Sequence, residues 1–245
     1  MSDSLVSVII PVKDGERFLA EAINSVLEQD YRPLEIIVVD GRSVDRTREI
    51  AGSFEQVRII SQVDQGLADA WNVGIDAASG DFIAFQSHDD LWVPKKLSIQ
   101  VNYMLDHPEI QYTITRVKFF AQPGFRTHPG FRTKLLEGDH VGRIPETLVA
   151  RRSLFDVVGR FDVTFSVSPD VDWFARAKDM QVPMAIMPEV LLLKRVHDAN
   201  LSLVAVDECH RDLLRVLRRS VVRKRENQVG GENSPNYLEP SPRGE

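Results

Sequence analysis

Asp89 and Asp90 stand side by side, directly after a wholly apolar run, Phe82-Ile83-Ala84-Phe85. Such a run is the pattern of a strand buried on both faces of a parallel sheet. Trp92 and Pro94 follow the aspartates, and helical spacing begins after the proline. Carboxylates at the end of a buried strand are costly to place there unless something cationic is near. Open α/β sheets bind ligands at that end of their strands. Mg2+ is usually held by one or two carboxylates together with phosphate oxygens. A divalent cation bridging a diphosphate is therefore one reading of the pair. The other is that Asp89 or Asp90 caps the helix that follows.

The elements that must position this pair alternate along the first hundred residues. "LVSVIIPV" (5–12) and "LEIIVV" (34–39) read as buried strands, ending at Lys13-Asp14-Gly15 and at Asp40-Gly41. Between them Phe18, Leu19, Ala22, Ile23, Val26 and Leu27 recur at helical spacing, closed by Tyr31-Arg32-Pro33. A short helix over 47–54, a strand over 57–60 and a helix over 66–79 lead into the strand at 82–85. In that last helix Ala68, Trp71, Ile75 and Ala78 share a side. Strands alternating with helices imply right-handed βαβ units and a parallel sheet covered on both faces. Neither G-x-G-x-x-G nor G-x-x-x-x-G-K-[ST] occurs, so a bound nucleotide must be held mainly by side chains and a metal.

The whole-chain figures narrow the class. A length of 245 residues suits one domain, or one with an appendage, and 43% hydrophobic residues suffice for a core. A net charge of −6 argues against a nucleic-acid binder. The single cysteine, Cys209, excludes an internal disulfide framework and suits a reducing compartment. No apolar run approaches the roughly 20 residues that span a bilayer, and Lys13, Asp14 and Glu16 interrupt any signal-peptide pattern. The expectation is a cytoplasmic protein, with the inner membrane face as an alternative station.

Five stretches carry a resemblance. The run "VSVIIPVKDGERFLAEAINSVLEQDYRPLEIIVVDGRSVDRT", then "QGLADAWNVGIDAASGDFIAF" and Ser87–Asp90 before "LWVPKKL", resemble the start of an inverting family 2 glycosyltransferase of the GT-A fold. The likeness continues more weakly through "RFDVTFSVSPDVDWFARA" and "KRVHDANLS". It implies a Rossmann-like, mostly parallel sheet with helices on both faces, a small antiparallel and loop region for the acceptor, and a C-terminal helix. The implied activity is metal-assisted transfer of a sugar from a UDP-, GDP- or dTDP-linked donor to a hydroxyl acceptor with inversion, in polysaccharide, glycolipid or other glycoconjugate synthesis. A catalytically inert nucleotide- or sugar-binding protein on the same fold and a nucleotidyltransferase are the alternatives.

The resemblance also assigns roles. Pro11, Lys13 and Asp14 fall where the family packs against the base, although the family has Tyr-Asn where this chain has Lys13-Asp14. Asp40 matches the carboxylate that binds base or ribose, and Glu16 and Ser43 in the adjoining turns join the donor contacts. Asp69 and Asn72 lie on a helix whose start faces the nucleotide, the competing reading being a solvated helix face. The family's Asp-x-Asp becomes Ser87-His88-Asp89 here. Asp89 then holds Mg2+ or Mn2+, Ser87 hydrogen-bonds sugar or phosphate, and His88 belongs to the donor contacts, its side chain expected to point away from Asp89. Arg195 offers a fork of donors to phosphate, and His197 completes the metal shell or binds phosphate. Asp170 is the general base, which must lie within hydrogen-bond reach of the acceptor hydroxyl. Asp172 is its competitor, or else stabilises a helix N-terminus.

The reading divides the chain into a single domain, 1–225, and a disordered tail, 226–245. Within the domain, 5–100 binds the nucleotide-sugar, 101–204 serves acceptor and catalysis, and 205–225 is a helix. "IQYTITRVKFF" (110–120) reads as an antiparallel strand and 121–140, with His128 and His140, as a loop over the cleft. "IPETLVARRSLFDVVGRF" gives a short strand and a helix with Leu154, Val157 and Val158 on its apolar side. In the last helix Cys209, Leu213, Val216, Leu217 and Val221 form a stripe with arginines around it. Two readings stand for it: a peripheral contact with an anionic membrane, or a soluble helix with acids first and bases last, as its dipole favours.

Overall fold

In a computed structural model of the chain, residues 4–125, 132–198, 200, 206–228 and 237–238 are described. Strands β1 (Val6–Val12), β2 (Leu34–Asp40), β3 (Val57–Ser61) and β4 (Phe82–Phe85) pair in parallel, with β1 between β2 and β4. Their connections contain α1 (Leu19–Leu27), α2 (Thr47–Gly52) and α3 (Leu67–Ala77). Beyond β4 come β5 (Leu91–Trp92), α4 (Lys96–Asp106), β6 (Tyr112–Ala121), β7 (His140–Val141), β8 (Val149–Arg151), α5 (Leu154–Val157), α6 (Pro169–Asp179) and β9 (Met184–Val196). The chain closes with α7 (Val206–Gln228) and β10 (Tyr237–Leu238). Among the described residues the strand order is β10-β9-β6-β8-β4-β1-β2-β3, with β5 on β9 and β7 on β6.

Two-faced burial explains the apolar runs. Val6, Val8, Ile10 and Val12 of β1 pack with Leu19, Ile23 and Val26 of α1 and Leu97, Val101 and Met104 of α4. Ile9, between them, packs on the other side with α3 and with Trp173 and Phe174 of α6. Successive strand side chains point to opposite faces, so a strand with helices on both sides must be apolar throughout. α3 approaches β1 closely at Gly74, where an added Cβ would lie 2.3 Å from Ile9 Cγ2. Overpacking typically costs about 1–3 kcal/mol, against about 1 kcal/mol that alanine gains over glycine in a helix. Gly74→Ala should therefore lower the urea midpoint with an unchanged slope; a higher midpoint would contradict this packing.

Several expectations are corrected. β6 is antiparallel to β8 and β7 but parallel to β9, its longest partner. Since β8 is also antiparallel to β4, β6 and β9 run in the same direction as β4. The antiparallel strand of the central order is thus β8. On α5, Val157 is exposed and Phe155 is buried with Leu154 and Val158, because the four-residue helix turns Phe155 toward Phe85, Phe161 and Trp173. The final helix extends to Gln228, and Tyr237–Leu238 pairs with Met184–Ala185 of β9, inside the segment read as a disordered tail. His128 and the rest of that tail lie outside the described residues. His140 is half-buried, its Nε2 3.2 Å from the Leu135 carbonyl oxygen.

Candidate active site

Parallel registry brings the strand ends together. Val12 pairs with Asp40 and Ile9 with Phe85, so the turns after β1, β2 and β4 share the carboxyl edge of the sheet. β9 ends at the same edge and delivers Lys194, Arg195 and, just beyond, His197. The turn after β4 is fixed from within. Gln86 donates through Nε2 to the Asp90 carbonyl at 2.9 Å, and Trp92 N–H donates to Ser25 Oγ of α1 at 3.2 Å. Gln29 ties α1 to α4 by donating to the Val93 carbonyl and accepting from Leu97 N–H.

Asp89 is buried where these elements meet. His197 Nε2 lies 2.8 Å from Asp89 Oδ2, Asn200 Nδ2 donates to the same oxygen at 3.3 Å, and the neighbouring Ser87 side chain favours the ionised carboxylate. Burial opposes ionisation of Asp89, but the His197 hydrogen bond and the nearby charges outweigh it and hold the carboxyl well below the ordinary range. Its Oδ1 is buried without a protein partner. An ionised carboxylate with one uncommitted oxygen beside an imidazole suits a divalent cation. Among the described residues no group of three His, Cys, Asp or Glu side chains could hold a metal. Asp89 and His197 would thus be its protein ligands, with phosphate and water completing the shell. The His88 ring lies against the turn after β1, 2.7 Å from where a Gly15 Cβ would stand. Burial pushes its pKa down and favours the neutral ring.

Beside Asp89 lies a second ionic group. Lys194 Nζ is 2.7 Å from Asp90 Oδ2 and 3.5 Å from Glu146 Oε1, and Arg195 N–H donates to Asp90 Oδ1 at 2.8 Å. Burial works against charge on Lys194, but Asp90, Glu146 and Asp89 outweigh it and keep the ammonium protonated. Asp170, in the first turn of α6, faces Glu146, Lys194 and, from α7, Cys209. Burial first and the Glu146 charge second push its pKa up to about 7, against its own helix-start N–H groups and Lys194. Asp172 has a different fate. It is buried, accepts from Arg176 Nε at 2.7 Å and lies 4.0 Å from Arg219, between α6 and α7. Glu146 carries no motif signal, and Lys194, though it opens the stretch KRVHDANLS, has no role assigned there, since the fold alone joins residues 146, 170 and 194. Asp90, already conspicuous in sequence, gains its partner the same way.

The expected donor contacts divide. Asp40 Oδ1 accepts from Ser43 N–H at 3.2 Å and its Oδ2 from Arg48 Nη1 at 2.9 Å. Asp14, Glu16 and Ser43 lace two turns together: Asp14 N–H donates to Ser43 Oγ, Val44 N–H to Asp14 Oδ1, and Arg46 N–H to Glu16 Oε2. These three side chains tie the turn after β1 to the turn after β2. Pro11 is buried and Lys13 exposed. Asp69 has an oxygen, Oδ2, that is buried without a partner. Asn72 pairs with the Phe161 backbone, donating to its carbonyl at 2.8 Å and accepting from its N–H at 2.9 Å, so it joins α3 to the segment before α6. Arg195 is also committed: it donates to the Asp89 carbonyl at 2.9 Å, Gln122 Oε1 at 2.7 Å and Glu21 Oε2 at 2.6 Å. Its guanidinium stacks between Phe18 and Phe120. It braces the turn that carries Asp89.

Comparison with known proteins agrees with this fold. A family model described as "Glycosyl transferase family 2" matches residues 7–167. An uncharacterized glycosyltransferase of Rickettsia typhi is 33% identical over 218 residues, covering 83% of this chain and 68% of its own length. An Escherichia coli enzyme, UDP-Glc:alpha-D-GlcNAc-diphosphoundecaprenol beta-1,3-glucosyltransferase, is 40% identical over 108 residues, 43% of each protein. Among solved structures, Staphylococcus aureus TarS 1-349 with UDP superimposes with a TM-score of 0.68 at 19% identity, over 89% of this chain and 64% of that one. Glucosyl-3-phosphoglycerate synthase from Mycobacterium tuberculosis, with Mn2+, UDP and phosphoglyceric acid, gives 0.64 at 20% identity, over 89% and 78%. The chain thus spans under two thirds of the TarS fragment and less than half of the Escherichia coli enzyme. The fold is that of the GT-A glycosyltransferases.

Proposed function

The chain belongs to glycosyltransferase family 2, and we propose that it moves a sugar from a nucleotide-sugar to a hydroxyl acceptor, with inversion and with Mg2+ or Mn2+ as cofactor. The observation that carries this is the uncommitted oxygen of Asp89, beside the Lys194 ammonium that Asp170 also faces. UDP and Mn2+ in the Mycobacterium structure and the UDP-glucose donor of the Escherichia coli relative support a UDP-linked donor first, with GDP and dTDP as the other classes. The acceptor is a glycan, lipid-linked or small-molecule hydroxyl, and glycoconjugate synthesis at the cytoplasmic side is the setting this fits.

In this reading Asp40 and Asp69 contact the nucleoside, and Asp89 with His197 holds the metal. When bound, the metal supplies positive charge to the diphosphate leaving group. Asp170 takes the proton of the acceptor hydroxyl as that oxygen bonds to the anomeric carbon. The bond from that carbon to the diphosphate breaks on the opposite face, and the nucleoside diphosphate departs with the electron pair. A base is most effective when its pKa lies near the working pH, and burial beside Glu146 brings Asp170 there. Lys194 keeps Glu146 and Asp90 in place.

A thermal-shift panel of nucleotide-sugars tests the donor assignment. A ligand at 100 times its Kd stabilises by about 2.7 kcal/mol, so one nucleotide class should raise Tm, and more so with Mn2+. No response from any class would contradict the proposal. Glu146→Gln tests the environment of Asp170. Removing that negative charge should move the rising limb of kcat/KM below the wild-type midpoint near about 7; an unmoved limb would show that Glu146 does not act on the base.

A further inference from the structure

α7 meets the protein through polar groups and leaves its aliphatic side outside. Asp212 Oδ2 accepts from Val167 and Ser168 N–H at 3.0 and 3.2 Å. Ser220 and Arg223 both donate to Asp179, and Arg219 donates to Asp162. Of the stripe read in the sequence only Val216 is well buried, while Leu213, Leu217 and Val221 are about half exposed, as is Leu214. At this helical spacing Leu213, Leu214, Leu217 and Val221 share one arc. Exposed Arg218 and Arg225 border it on one side, and exposed Lys224 follows it one turn beyond Val221. From Cys209 to Arg225 the helix has seven Lys and Arg and one acid, Asp212, in a chain whose net charge is −6.

We propose that this face of α7 rests on an anionic lipid surface. An aliphatic arc with a basic border is what a helix lying in the headgroup plane requires: the arc enters the acyl boundary and the border meets the phosphates. The same border opposes a second copy, because two such faces would set like charges against each other. The position gives the contact a purpose. Asp212 holds the backbone just before α6, Cys209 hydrogen-bonds the Ser168 side chain, and Cys209 lies near enough to Asp170 to sense its charge. The surface under α7 therefore adjoins the proposed base, where a lipid-borne acceptor would be presented. That purpose rests on the sugar-transfer reading; the lipid contact stands on α7 alone.

Vesicle flotation of the full chain tests it. Vesicles with about a third phosphatidylglycerol should carry the protein upward, pure phosphatidylcholine should not, and salt should reverse the binding. Leu214→Glu/Leu217→Glu and, separately, Arg218→Ser/Lys224→Ser/Arg225→Ser should each lower the bound fraction about fivefold or more, with unchanged circular-dichroism melting. Absence of binding to anionic vesicles, equal binding to both compositions, or full binding by both variants would overturn the proposal. A wild-type dimer in sedimentation equilibrium that Leu214→Glu/Leu217→Glu dissolves would also overturn it, assigning the face to a second copy. Flotation uses no donor, metal or acceptor, so its failure leaves the sugar-transfer reading untouched, and failure of donor binding leaves this one untouched.

Discussion

Asp170→Asn should lower sugar transfer by about 10²–10⁴-fold, the usual contribution of a general base, while donor affinity barely moves. Asparagine keeps the size and much of the hydrogen bonding of aspartate but cannot accept the acceptor's proton. The wild-type kcat/KM should rise with pH through about 7, the value to which burial and Glu146 push this carboxyl, because only the ionised form is a base. The variant should lack that limb. Stability gives a separate readout, and its sign is fixed. The folded pKa lies above the ordinary 3.8, so between the two values the folded state binds more protons than the unfolded one, and wild-type stability falls as pH rises through that window. Asp170→Asn should therefore gain in Tm relative to wild type between about pH 4 and about pH 8. Asp172→Asn is the control. Its carboxylate joins Arg176, so it should lose stability before it loses chemistry. Loss of transfer in Asp172→Asn with near-full activity in Asp170→Asn would reassign the base.

Asp89→Ala should abolish the metal dependence of donor binding. The wild type should bind UDP at least about tenfold more tightly with Mn2+ than without, a difference of about 1.4 kcal/mol. The variant should bind equally in both conditions. The fold should persist, because Asp89 is held by His197 and Asn200 at the sheet edge rather than by the apolar core. Ser87→Ala should be milder, since it removes a side chain that favours the ionised carboxylate and no ligand. Calorimetric titration decides the matter, and undiminished metal dependence in Asp89→Ala would refute the assignment.

The first hundred residues were legible because physics leaves them few alternatives. A strand covered on both faces must be apolar throughout, which marks β1, β2 and β4, and parallel registry then forces their carboxyl ends onto one edge with Asp40 and Asp89. What sequence could not give are pairings made by distant segments. Lys194 meets Asp90 from 104 residues away, and Asn72 meets the Phe161 backbone from 89; nothing local to either residue signals the partner. α7 shows the limit of periodicity. Its stripe was legible, but its orientation was not, because the surface it packs on presents Asp162, Asp179 and the start of α6, which favour the arginines and Asp212 over the leucines. Arg195 is similar: a fork of donors suits phosphate, yet Glu21, Gln122 and the Asp89 carbonyl take it up first.

The most direct test of the central claim is product analysis by phosphorus NMR. The protein is incubated with UDP-, GDP- and dTDP-sugars, Mn2+ and a panel of hydroxyl acceptors. Sugar transfer predicts that one donor class yields a nucleoside diphosphate, with the sugar recovered on the acceptor in inverted anomeric configuration. Pyrophosphate in its place would mean nucleotidyl transfer, and a retained configuration would contradict direct displacement by the acceptor. No turnover of any donor, despite binding, would mean a nucleotide-sugar-binding protein without the activity.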